Sequence, residues 1–320
     1  MKEWHIDNQG YSHTLLLENL TFLKGDKQTW DFLLDDLQQY FSHKATPLKI
    51  YQDNTLLPRN DFSFIAFSPE EDFDSRVLQK VMKSQQKLFF NTLTFSPFYK
   101  ALVDSWEELI EEVEFLNDQN SSASLIFSLL PFDRDWVAKN LVFSEKSYLN
   151  LSNFRKILFQ LEMLETTIEG KRSIICIINP ERFLTNAELS KFYDYLEKIH
   201  NGKHYLIITE SSLAAATNIF YNGAIRNKLD CYNVKAKLMK DFPANWDDQQ
   251  FSIACNWYIS LVDKYRDKTV FLDLDTVDNL ETFIYLYSLF ILTSTPLIVD
   301  LARISSSLKK YFENLLIDTL

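Results

Sequence analysis

Apolar positions along this chain follow two rhythms, one of period 3.6 and one nearly continuous. The stretch from Asn153 to Ser212 alternates between them. Phe154, Ile157, Leu158, Leu161 and Leu164 recur at helical spacing, and Gly170 with Lys171 and Arg172 breaks the run. Ser173 to Ile178 is a short apolar stretch, the pattern of a strand buried on both faces, and Asn179-Pro180 ends it. Leu189, Phe192, Tyr193, Leu196 and Ile199 mark an amphipathic helix from about Asn186 to His200, stopped by Asn201-Gly202. His204 to Thr209 is a second apolar strand. Two buried strands joined by a crossover helix belong to a parallel sheet, so the pattern predicts an open α/β core.

The flanking regions extend this reading. Residues 3–7 and 11–18 alternate around Asn8-Gln9-Gly10, which predicts a β-hairpin. Leu20 to Leu23 is a further short strand, and Leu33, Leu34, Leu37, Tyr40 and Phe41 predict a helix after it. Phe62 to Phe67 reads as a strand, and Ser68-Pro69-Glu70-Glu71 as a helix start. From there to about Lys146 the pattern is helices and connections, with Ser96-Pro97 opening one helix and Ser105 marking a restart or kink within it. Pro131 interrupts 125–143 and leaves that segment unassigned. Ser211 to Asn222 reads as a helix ending at Gly223, and Tyr232 to Met239 as a last sheet strand. Residues 248–266 and the aromatic tail from Leu280 onward read as helices.

Composition narrows the function classes. Five glycines in 320 residues argue against an enzyme built on glycine-rich phosphate loops. A net charge of −11 means that any nucleic-acid contact must come from a local basic strip. Cys176, Cys231 and Cys255 have no paired spacing, which points to a reducing compartment. The first residues carry no signal-peptide pattern, and Phe283 to Val299, the most hydrophobic window, reads as a buried helix-turn-strand rather than a membrane span.

Three features bear on chemistry. Lys24 to Trp30 lies between a strand and a helix, the context of a phosphate-binding loop. Its signature fails, because Trp30, Asp31 and Phe32 stand at the Gly-Lys-Ser/Thr positions. Arg76, Lys80, Lys83 and Lys87 form a basic ridge covering only about 60° of a helix, suited to tracking a phosphate backbone or simply solvated. Glu107, Glu111, Glu114 and Asp118 repeat the same spacing, flanked by Glu108 and Glu112. That acidic ridge fits calcium, pairing with the basic ridge, or plain solvation. His200 with His204, Asp273 with Asp275, and Thr209 to Ser212 are weaker candidates, for metal, metal and ligand respectively.

The order of parts and several local runs resemble the ring-forming spacer-acquisition proteins of type II-A CRISPR systems, in their long form with a C-terminal extension. Leu20-Thr-Phe-Leu-Lys-Gly25 with Trp30 and Tyr40-Phe41, Leu109 to Glu114, Leu161 to Leu164, and Arg182-Phe183 with Phe192-Tyr193 carry the resemblance. It implies an α/β fold with a parallel open sheet of degenerate P-loop NTPase-like type, an inserted α-helical domain and a helical C-terminal extension. The expected division is 1–68 with 150–245 as head, 69–149 as helical leg and 246–320 as extension. It further implies a cytoplasmic homotetrameric ring, neither nuclease nor ATPase, that binds double-stranded DNA ends without sequence preference and uses structural calcium but no nucleotide. Expected partners are the CRISPR integrase complex and the effector nuclease, with no membrane. By position in the leg, Arg76, Lys80, Lys83 and Lys87 are the DNA candidates, and Glu107, Glu108, Glu111, Glu112 and Glu114 the calcium candidates. A divergent P-loop-like ATPase and a protein-interaction scaffold are the alternatives.

Overall fold

A computed structural model describes residues 2–8, 10–42, 46–70, 76–119, 125–141, 151–167, 172–199, 202–277 and 279–317. The chain opens with β1 (Lys2–Asn8), β2 (Tyr11–Leu17), β3 (Leu20–Lys24), α1 (Lys27–Phe41), β4 (Lys49–Gln52), β5 (Thr55–Leu56) and β6 (Phe62–Phe67). Among the described residues four helices follow: α2 (Arg76–Leu93), α3 (Pro97–Gln119), α4 (Arg134–Lys139) and α5 (Asn153–Thr167). Then come β7 (Arg172–Ile178), α6 (Asn186–Lys198), β8 (His204–Thr209), β9 (Asn218–Tyr221), β10 (Ala224–Asn227), α7 (Lys228–Asp241) and α8 (Asp248–Lys264). The chain closes with β11 (Val270–Leu272), α9 (Leu280–Leu292), β12 (Leu297–Val299) and α10 (Ser306–Ile317).

Two compact units result, residues 1–70 with 170–320 and residues 71–169. The expected boundaries differ on two points. Helix α5 falls in the helical unit, because it packs on α2, and not in the head. Residues 246–320 fall in the same unit as the sheet, because Phe251, Tyr258 and Phe290 share one core with Ile219 and Tyr221 of β9.

The first unit is built on a six-stranded sheet of order β10-β9-β3-β8-β7-β6, in which β9, β3, β8, β7 and β6 run parallel and β10 antiparallel. Its central strands are apolar on both sides, as β7 and β8 require. On one face Ile174, Cys176, Leu206 and Ile208 join Leu33 and Leu37 of α1, and Trp4 and Ile50 of a second sheet, in one core. That second sheet is antiparallel, of order β2-β1-β4-β5. On the opposite side Phe22 meets Tyr193 of α6 edge-on at 4.9 Å. The fully buried Asn218 stitches the two sheets: its Oδ1 accepts from Leu16 N at 2.9 Å and its Nδ2 donates to Leu16 O at 2.8 Å. It thereby satisfies backbone groups that no strand neighbour reaches.

Two expectations are corrected between Ser211 and Asp241. The segment read as a helix to Asn222 contains β9 and turns tightly into β10. Asn222 and Gly223 both take positive φ, 48° and 80°, as a two-residue hairpin of the Asn-Gly type demands. The run Tyr232 to Met239, read as a strand, lies inside α7, whose start is fixed by a capping box between Asn227 and Asp230. Helix α3 runs unbroken through Ser105. The start expected near Ser68-Pro69 runs into residues 71–75, outside the described residues. Phe283 to Val299 is indeed helix, turn and strand, and among the described residues no helix is long and apolar enough to cross a membrane. All three cysteines are buried and free.

Two buried histidines set a pH dependence. His204 receives a hydrogen bond from Lys2 Nζ at 3.3 Å when its Nδ1–H donates to Glu18 O at 3.0 Å, which is the neutral tautomer. Burial holds the pKa of His204 and of His13 below the ordinary value of 6.5. Below about 6.5 the unfolded chain therefore takes up protons that the folded chain refuses, so their contribution is complete above that pH and is lost as pH falls. Thermal unfolding near pH 7.5 and pH 5.5 checks this. The drop in Tm between the two should shrink in His204→Gln, and an unchanged drop would refute it.

Candidate functional site

The phosphate-loop position is the first place to look, at the carboxyl ends of the parallel strands. Lys24 ends β3 with only 2% of its side chain exposed. Its ammonium donates to Ser211 O at 2.6 Å and Ala214 O at 3.3 Å, and lies 3.7 Å from Asp263 of α8. Burial lowers its pKa, and Asp263 opposes that shift. Gly25 follows with φ of +133°, a conformation that L side chains rarely adopt. Asp26 caps α1, accepting from Thr29 N at 2.9 Å and Thr29 Oγ1 at 2.6 Å, and the hydroxyl bond chiefly keeps its pKa low. Trp30 is fully buried, and its indole donates to Lys24 O at 3.1 Å. The helix start where a phosphate would sit thus carries the chain's own carboxylate. Thr209 and Glu210, another sequence candidate, are held by Glu181 at 2.9 and 2.8 Å, and the element that comes next after Ser211 is strand β9.

The second place lies within the helical unit. Lys83 and Lys87 project exposed from α2, as their spacing predicts. Arg76 and Lys80 stand earlier on the same helix, with side chains outside the described set. Gln86 ties α4 alongside by donating to Ala138 O at 3.2 Å and to Leu141 O. That brings Arg134 and Lys139 across from Lys83 and Lys87, around an open groove of ≈ 590 Å³. Arg134 also lies over the ring of Phe90 at 5.7 Å. Among the described residues the groove carries four cations and a single carboxylate, Asp135. Arg134 and Lys139 were not among the sequence candidates. The usable signal was Asp133, whose side chain accepts from Asp135 N and starts α4 just past Pro131.

A neighbouring groove of ≈ 710 Å³ shares Arg134 as a wall. Its other walls come from Thr94 and Phe95 in the turn after α2, from α3 and from residues 131–132. The chain before α4 is laid along α3 by two side chains. Trp106 donates to Leu130 O at 2.9 Å, and Asn117 accepts from Phe127 N at 3.0 Å.

The acidic ridge is solvent-facing: Glu107, Glu108, Glu111, Glu112 and Glu114 are all exposed on α3. Among the described residues no salt bridge joins it to Lys83 or Lys87, so those two lysines are not taken up by it. Among the described residues no three His, Cys, Asp or Glu side chains come together to hold a metal ion. Calcium takes six to eight oxygens, so an ion at this ridge would need ligands from beyond that set. Asp273 instead closes a turn with Thr276, and Asp275 pairs with Arg303 at 2.8 Å. His200 lies outside the described residues, and His204 is engaged as above.

No family model matches the sequence, and no curated protein matches it. Among solved structures, the crystal structure of Stu0660 of Streptococcus thermophilus superposes with a TM-score of 0.52 at 16% identity, over 97% of this chain and 99% of that one. At that identity the likeness shows the fold alone. The structure of cbiO1 from Clostridium perfringens, part of the ABC transporter complex cbiONQ, gives a TM-score of 0.35 at 13% identity, over 75% of this chain and 95% of that chain. A likeness that slight carries no argument.

The Lys24 arrangement makes a stability prediction. Lys24→Met keeps the stem but orphans two carbonyls, and should lower stability by roughly 1–3 kcal/mol. Urea unfolding measures this, and an unchanged midpoint would remove Lys24 as a structural tie.

Proposed function

We propose that this chain is a non-enzymatic accessory protein that binds the ends of double-stranded DNA without sequence preference. The observation that carries this reading is the groove of Lys83, Lys87, Arg134 and Lys139. Cations on facing helices, with flexible stems and one carboxylate among them, suit phosphates and carry no base code. A chain of net charge −11 can still bind this way, because screening limits repulsion from remote carboxylates to about 8 Å at physiological salt. In the same reading Arg76 and Lys80 extend the cationic track along α2.

The resemblance to CRISPR spacer-acquisition rings gives the biological setting: a cytoplasmic homotetrameric ring working beside the integrase complex and the effector nuclease. The shared fold with Stu0660 over nearly the whole chain is compatible with one common architecture. The head is then a degenerate P-loop-like domain, a reading supported by the Asp26 carboxylate at the start of α1 and by Trp30 buried against Lys24 O. Calcium belongs to this proposal as a structural ion at the acidic ridge, completed by further ligands. An interaction scaffold is the second reading, favoured by Phe89 and Phe98 at 63% and 86% exposed.

Fluorescence anisotropy with a linear duplex tests the DNA reading. Affinity should fall steeply with salt, and Lys83→Ala/Lys87→Ala should weaken binding and flatten the log–log slope by about 1.8. Binding indifferent to salt or to both lysines, or equal binding to closed circles of matched length, counts against it. Light scattering with calcium and then chelator tests the assembly. A tetramer that loosens on chelation supports ring and metal together. One that ignores chelator retains the ring without the ion, and a monomer in both conditions removes the ring.

A further inference from the structure

The two grooves that meet at Arg134 differ in chemistry. The first is a cationic trough, as described. The second balances Lys100 and Arg134 against Asp104 and Glu107, and is walled by aromatic rings. Phe95, Tyr99 and Phe132 line it. Tyr99 meets Phe132 edge-on at 5.9 Å, Phe90 backs Tyr99 at 6.0 Å and Trp106 backs Phe132 at 6.0 Å, so two of these rings are held from behind. Phe95 is free to stack, 78% exposed at the groove. The Tyr99 hydroxyl is shielded from solvent and has no hydrogen-bond partner among the described residues.

A phosphate backbone does not suit this second groove, because Asp104 and Glu107 repel it. A flat, uncharged ring with polar edges does. The ring stacks on Phe95 or Phe132, its amino groups donate to the carboxylates, and its carbonyl oxygens accept from Lys100 or Arg134. The volume of ≈ 710 Å³ lies within the roughly 300–1,000 Å³ of small-ligand sites. We infer that this groove binds an unpaired nucleobase at the DNA terminus, while the adjoining trough holds the backbone phosphates of the same end. This rests on the DNA reading above and adds to it. Arg134, common to both grooves, sits where backbone and base diverge. A base leaves the stack at little cost only where it is unpaired, so the site selects frayed or overhanging ends over continuous duplex.

The full-length protein is titrated against a blunt duplex and the same duplex with a four-nucleotide 3′ overhang carrying 2-aminopurine. Wild type should prefer the overhang by about fivefold or more and quench the 2-aminopurine. Phe95→Ala, a change at an exposed side chain, should abolish both effects while leaving blunt-duplex affinity within about twofold. Lys83→Ala/Lys87→Ala should weaken both duplexes alike. Equal affinity for the two ends with no quenching overturns the base site and leaves the DNA reading standing. A preference that survives Phe95→Ala also overturns it. Failure to bind either duplex overturns the DNA reading, and the base site with it.

Discussion

A lysine ammonium withdrawn from water must find oxygen atoms, and the segments that supply them are then no longer free to move. Lys24 imposes this condition at the centre of the sheet. Its partners come from the connection after β8 and from α8, segments nearly two hundred and more residues away in sequence. A single charge therefore registers the middle strand, the loop beside it and the C-terminal helices against one another. The desolvation that makes the arrangement costly also makes alternatives costly, because a conformation that buries the cation without two carbonyls and a carboxylate leaves it unpaired. The start of α1 depends on the same corner, since the indole of Trp30 takes the carbonyl of Lys24.

The helical unit is organised on the opposite logic. Most of its described charged groups are exposed, and the segment between α3 and α4 is held by side chains that reach for backbone: Trp106, Asn117 and Gln86. That leaves large aromatic and basic groups exposed together, which a self-contained domain has little reason to do. A strongly acidic protein with a cationic trough concentrates its attraction for anions in one place.

Legibility from sequence followed burial. Strands β7 and β8 were readable because both their faces are buried, which forces an unbroken apolar run bounded by Asn-Pro and Asn-Gly. Residues 211–241 were misread because local preference and tertiary structure disagree there. Ala214 to Ala216 favour helix but lead into β9, and the alternation of Val234, Ala236 and Leu238 imitates a strand within α7. The correct signals were short ones, Asn222-Gly223 and Asn227 to Asp230. That Lys83 and Lys87 stand exposed on α2 was legible, because cations on one helix that obey a simple period share a side. Their partners Arg134 and Lys139 were not, because they reach the groove through a hydrogen bond from Gln86 to a distant carbonyl, and no local spacing encodes that.

Strands β6 and β7 are parallel neighbours, with Phe62 opposite Arg172 and Phe67 opposite Ile177. A chain leaving the end of one must travel back to the beginning of the other, so every such pair needs a return path. Here the return path is the entire helical unit. The sheet fixes where that path begins and ends but imposes nothing on its contents, so the interior of the detour is free to change in length and charge without disturbing strand order. A compulsory connection, already entailed by the topology, has become the carrier of an independent surface.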